Sequence, residues 1–120
     1  MASHDGVLIE FDQTRKLLFD FKASKALDRA MGEVGLVKVL ELLQALNIAA
    51  LERTLWAGLQ HEDSLLTLNL IAKRLEKYAD SGKSLEPLFR AAIKALNDST
   101  LFNQPEDDAG NGSRETATTA

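Results

Sequence analysis

The chain has 120 residues, 45% of them hydrophobic and 27% charged, with no cysteine and a formal net charge of −4. That is one domain's worth of core, and without cysteine it excludes disulfides, thiolate nucleophiles and Cys-based metal centres. The net negative charge is concentrated late, with Glu106, Asp107, Asp108 and Glu115 against Arg114 beyond Asn103. The rest is nearly balanced and builds no positive field for nucleic acid.

Met1 to Gly6 is short and polar, without the basic and apolar regions of a secretory leader; the expectation is a flexible N-terminus over 1–6. Val7, Ile9 and Phe11 then alternate on one face, and Leu17, Phe19 and Phe21 do so after the polar stretch Asp12-Gln13-Thr14-Arg15. This predicts a β-hairpin with one aromatic, apolar face that must lie on helices or on a partner.

The period changes near Phe21. Ala23, Ala26, Leu27, Ala30 and Met31 follow helical spacing, and Gly32 with Gly35 closes that short helix. A second helix is expected over about 36–46, with Leu36, Val39, Leu40, Leu43 and Leu46 as its stripe. Val37 and Leu42 fall off that stripe, and such an apolar girth predicts a helix that is central in the bundle or partly covered by a partner. Asn47 is placed to cap a third helix with Ile48, Leu51, Leu55, Trp56 and Leu59 as its stripe.

His61-Glu62-Asp63-Ser64 forms a polar connection. Thr67 caps a fourth helix carrying Leu68, Ile71, Leu75 and Tyr78, and Ser84 caps a fifth with Pro87 in its first turn. Leu85, Leu88, Phe89, Ala92, Ile93 and Leu96 give the clearest amphipathic pattern. From 103 to 120 no sizeable apolar cluster remains, and a disordered acidic tail is expected. The fold class is therefore α+β, predominantly α: an N-terminal β-hairpin followed by a compact bundle of about five helices, one domain over 7–102. No apolar run approaches the roughly 20 residues of a membrane span, so no membrane association is expected.

Little of this sequence suggests catalysis. His61-Glu62-Asp63 is the one dense cluster of reactive side chains, but a metalloprotease helix needs a second histidine where Leu65 stands. The nearby serines lack a nucleophile elbow, and the glycines form no phosphate-binding pattern. No cofactor and no metal are expected. Trp56 reads as core or as an interface anchor. The candidate protein-interaction residues are Phe19, Phe21, Val37, Leu42, Trp56, His61, Glu62 and Asp63.

Two stretches carry a family resemblance: Leu17-Leu18-Phe19-Asp20-Phe21 with the small-residue helix behind it, and Leu55-Trp56-Ala57-Gly58-Leu59-Gln60-His61-Glu62-Asp63 followed by Leu66-Thr67. Together they resemble the tail assembly chaperones of long-tailed bacteriophages and of phage-derived gene transfer agents, over about residues 6–97. The family's Asn-Ala-Leu stands here as Lys22-Ala23-Ser24, and its proline after His-Glu-Asp as Ser64. The resemblance implies a non-catalytic, homo-oligomeric holdase in the host bacterial cytoplasm. It would bind and solubilise the tape measure protein, help recruit tail tube protein, and be absent from the mature virion. It also implies that a longer, frameshifted form can exist. The residues alone also admit another protein-binding module, such as a virion structural connector or a small regulatory adaptor, and a small metal-dependent enzyme centred on His61 and Glu62.

Overall fold

A computed structural model describes residues 6–99; the expected tail over 103–120, and the expected flexible N-terminus apart from Gly6, lie outside the described residues. Strands β1 (Val7–Glu10) and β2 (Thr14–Leu17) pair antiparallel, with Val7 opposite Leu17 and Ile9 opposite Arg15. The pleat buries Ile9, Arg15 and Leu17 and leaves Leu8 exposed on the outer face.

The hairpin differs from its sequence reading at both ends. The turn occupies 11–13, so Thr14 and Arg15 belong to β2 and Arg15 faces inward. It is tightened by the Phe11 N–H, which donates to the Gln13 carbonyl at 3.1 Å. The strand then stops at Leu17, and the buried alternation at Phe19. Asp20 caps helix α1 (Phe21–Ala30), its carboxylate accepting from the Ala23 N–H at 2.8 Å. Phe21 thereby becomes the first helical residue and turns away from Phe19: Phe19 is buried, and Phe21 is 65% exposed.

Helix α2 (Leu36–Gln44) follows a turn in which Asp28 accepts from the Gly35 N–H at 2.8 Å. It buries Val39 and Leu43, with Leu36, Leu40 and Leu42 partly covered. Leu46, read as core, lies past the helix end with φ 62° and is exposed. That left-handed residue reverses the chain into α3 (Ile48–Leu59), which Asn47 caps at 2.9 Å as expected.

Helix α3, not α2, is the centre. It packs against α1, α2, β2, α4 (Leu68–Asp80) and α5 (Glu86–Asn97), and Leu51, Leu55, Ala57 and Leu59 are fully buried along it. Ile48, read as part of its stripe, is exposed at the first turn. Thr67 caps α4 at 3.1 Å. Ser84 accepts from the Glu86 N–H at 3.1 Å ahead of α5, and Pro87 sits in the first turn. Helix α5 closes the core over the hairpin and α2 with Leu88, Phe89, Ala92, Ala95 and Leu96. Among the described residues, no helix is long and apolar enough to cross a membrane.

Candidate interaction groove beside the hairpin seat

The Leu55 to Asp63 stretch acts first as a seat for the hairpin. The Leu18 N–H donates to the Gly58 carbonyl at 3.0 Å, so the chain leaving β2 runs against the α3 backbone. A β-carbon at Gly58 would lie 2.8 Å from Leu17 Cδ2 and 2.9 Å from the Phe19 ring. Glycine is thus required here by close approach rather than by backbone conformation. A turn later, His61 Nε2 meets the Lys16 carbonyl at 2.7 Å; a carbonyl only accepts, so Nε2 carries the hydrogen. Gln60 bridges the end of α3 by donating to the carbonyls of Trp56 at 3.1 Å and Leu66 at 3.2 Å. Asp63 accepts from the Leu65 N–H at 3.1 Å and shapes the approach to α4.

A second clamp holds the hairpin tip. Arg15 donates twice to Asp12, at 2.9 and 2.8 Å, and Arg74 of α4 donates to the same carboxylate at 2.8 Å. The Arg15 side chain is only 8% exposed, so this bidentate pair satisfies a guanidinium that the pleat points inward. The Arg15 hydrogen bond holds the Asp12 carboxyl below its ordinary range; the Arg15 and Arg74 charges add to this, and partial burial opposes it. Reciprocally, Asp12 raises Arg15, against burial and with help from the nearby charges of Asp63 and Glu62. The two acids of the interhelical loop therefore work in the field of the hairpin's buried cation.

Between the exit of β2, the first turns of α1 and the end of α3 lies an open groove of about 380 Å³. Leu18, Ala23, Ala26 and Trp56 give it apolar wall, while Asp20, Lys22, Gln60, His61 and Ser64 supply polar groups. Ala23 and Ala26 are small enough to leave the face of Trp56 accessible. Trp56 is half-buried, packed against the core on one side and lining the groove on the other.

Of the candidate residues, Trp56 and His61 meet in this groove, and Phe21 stands exposed on the helix that forms its wall. Phe19 lies in the core beneath Gly58 and is not a surface residue. Glu62 is exposed and Asp63 half-buried in the adjoining loop. Val37 and Leu42 lie on α2, which contributes nothing to the groove; Val37 is 62% exposed and Leu42 packs against the core. Sequence reasoning passed over Leu18, Gln60 and the Asp12–Arg15–Arg74 cluster. The available signal was Arg15 itself, an arginine in phase with Leu17 on an apolar strand face, which requires a buried anion. Among the described residues, no group of three or more His, Asp or Glu side chains converges to hold a metal.

The sequence model of one protein family, described as phage tail assembly chaperone protein, TAC, matches residues 11–108. That span runs from the hairpin tip through the five helices of the described residues. No curated protein and no solved structure matches the chain.

Proposed function

The chain belongs to the phage tail assembly chaperone family, and from that premise we propose that it binds and solubilises the tape measure protein and helps recruit tail tube subunits while a tail is being built. Family membership implies protein partners in tail assembly, and the proposed role is non-catalytic. In the proposed role it works as a homo-oligomer in the host bacterial cytoplasm, without metal or cofactor, and is released before the virion is complete.

The observation that carries the reading is the groove over Trp56, flanked by exposed Phe21. A tape measure protein is a long, helix-rich chain, and an amphipathic helix presents apolar side chains at three- and four-residue steps. One such side chain would enter between Trp56, Ala23 and Ala26, and the next would lie against Phe21. Polar groups at the groove, Asp20, Lys22 and His61, would meet the flanking polar face without strong sequence preference. Val37, on a different face, is proposed as part of a contact between copies. Glu62 and Asp63 lie outside the groove lining and are proposed to serve client binding through the loop between α3 and α4.

Co-expression with the tape measure protein tests this. The wild-type chain should keep the client soluble and co-purify with it. Phe21→Ser should lose most of that capture, yet shift stability by no more than about 0.5 kcal/mol, because the ring is largely in water already. A client that is equally soluble without the chain would remove the holdase function. Capture unaffected by Phe21→Ser, and equally unaffected by Ala26→Glu in the groove wall, would move the client site elsewhere.

A further inference from the structure

A second concavity, of about 450 Å³, lies on the other side of the hairpin tip, between that tip and the C-terminal half of α4. Its walls are Phe11 and Tyr78, with ring centres 6.2 Å apart, and its charged groups are Arg74, Lys77, Lys83 and Asp12. Asp12 pairs with Arg74 and, on its other side, with the buried Arg15, so the excess positive charge of the cleft rests on Lys77 and Lys83. Lys77 and Lys83 have no carboxylate within ion-pair distance among the described residues. Lys83 instead lies over the Tyr78 ring, 5.2 Å from its centre. The cleft is thus a positive, aromatic-walled site in a chain whose net charge is −4.

We propose that this cleft binds the chain's own acidic stretch Glu106-Asp107-Asp108, in cis. Charge complementarity selects the occupant: the three acids are consecutive and would meet the excess positive charge of Lys77 and Lys83, while the Pro105 ring just before them suits the apolar walls of Phe11 and Tyr78. Reach permits it. Helix α5 begins three residues after Lys83, and its 12 residues carry the chain about 18 Å away from the cleft. The seven residues from Ser99 to Glu106 span up to about 23–25 Å when extended, enough to return along α5. Surface ion pairs are individually weak, but a short tether holds the acids at high effective concentration beside the cleft. The acidic stretch is then a built-in ligand, covering a basic surface next to the hairpin tip.

Amide NMR spectra of the full chain test this. Neutralising the acids by Glu106→Gln, Asp107→Asn and Asp108→Asn together should shift the amides of 11–13 and 74–83, and the shift should be independent of protein concentration. Lys77→Glu with Lys83→Glu, both exposed positions outside the core, should shift the amides of 106–108. Combining that pair with Glu106→Lys, Asp107→Lys and Asp108→Lys should restore the wild-type pattern at the cleft. Unchanged core amides establish that each variant is folded. The proposal falls if neutralising the acids leaves the cleft amides where they were. It also falls if the cleft responds only at high concentration together with a larger hydrodynamic mass, since the acids would then come from a second copy. A cleft that responds to neutralisation but is not restored by the charge swap would show that the charges do not pair, and would overturn it too.

Discussion

Helix α3 buries Ala50, Leu51, Thr54, Leu55, Ala57, Gly58 and Leu59, whereas α2, at least as rich in large aliphatic side chains, buries Val39 and Leu43 and leaves Val37 in water. The difference lies in the small residues. Ala57 and Gly58 remove bulk from one face of α3, so the segment leaving β2 can lie on its backbone while α1, α2, α4 and α5 take the other sides. The packed face of α2 carries Leu36, Val39, Leu40 and Leu43 with no small residue among them, and it offers no such seat. A helix becomes central when several neighbours can approach it closely, and apolar girth alone does not supply that.

The largest test of the contrast is a pair of truncations. Leu55→Ala should cost about 2–5 kcal/mol, as expected for a fully buried leucine that leaves a cavity, while Val37→Ser should stay within about 0.5 kcal/mol. Urea unfolding of both variants compares them directly; similar losses would mean that α2 shares the central role. Asp12→Ala should cost about 1–3 kcal/mol at neutral pH by leaving the buried Arg15 unpaired. Because the folded carboxyl is held below its ordinary range, this contribution is fully present above the ordinary Asp value. It is lost as pH falls through about 3.9 towards the lower native value. The gap between wild type and Asp12→Ala in an acid unfolding series should therefore be flat near neutrality and close in acid.

Gly58→Ala sharpens the comparison at one atom. Alanine favours the helix by about 0.5–1 kcal/mol, but overpacking against Leu17 and Phe19 costs about 1–3 kcal/mol, so a net loss of about 1–2 kcal/mol is expected. Hydrogen exchange should show it first at the hairpin amides. The last expected effect has the opposite sign. Ser24, on α1 where the family carries a leucine, is buried with its hydroxyl unpartnered. Ser24→Ala should raise stability by about 0.5–1 kcal/mol by removing an unsatisfied polar group and improving helix propensity. A loss instead would reveal a hydrogen bond from that hydroxyl.

The sequence by itself determined the elements: the hairpin, five helices, the caps at Asn47 and Thr67, the proline-started last helix, and the family, through the Leu55 to Asp63 stretch. These are local matters, because periodicity, capping chemistry and a short motif are all written within a dozen residues. Only the tertiary structure decided which helix is central, that Phe19 packs beneath Gly58, and that Leu46 and Ile48 are left at the surface. It also decided that Arg15 and Arg74, distant in the chain, share Asp12. Those outcomes depend on which backbones approach one another, whereas Phe21 is turned out locally by the cap at Asp20. By starting a helix one residue later, it rotates Phe21 out of the strand's alternation, which a period-two reading of the same residues could not anticipate.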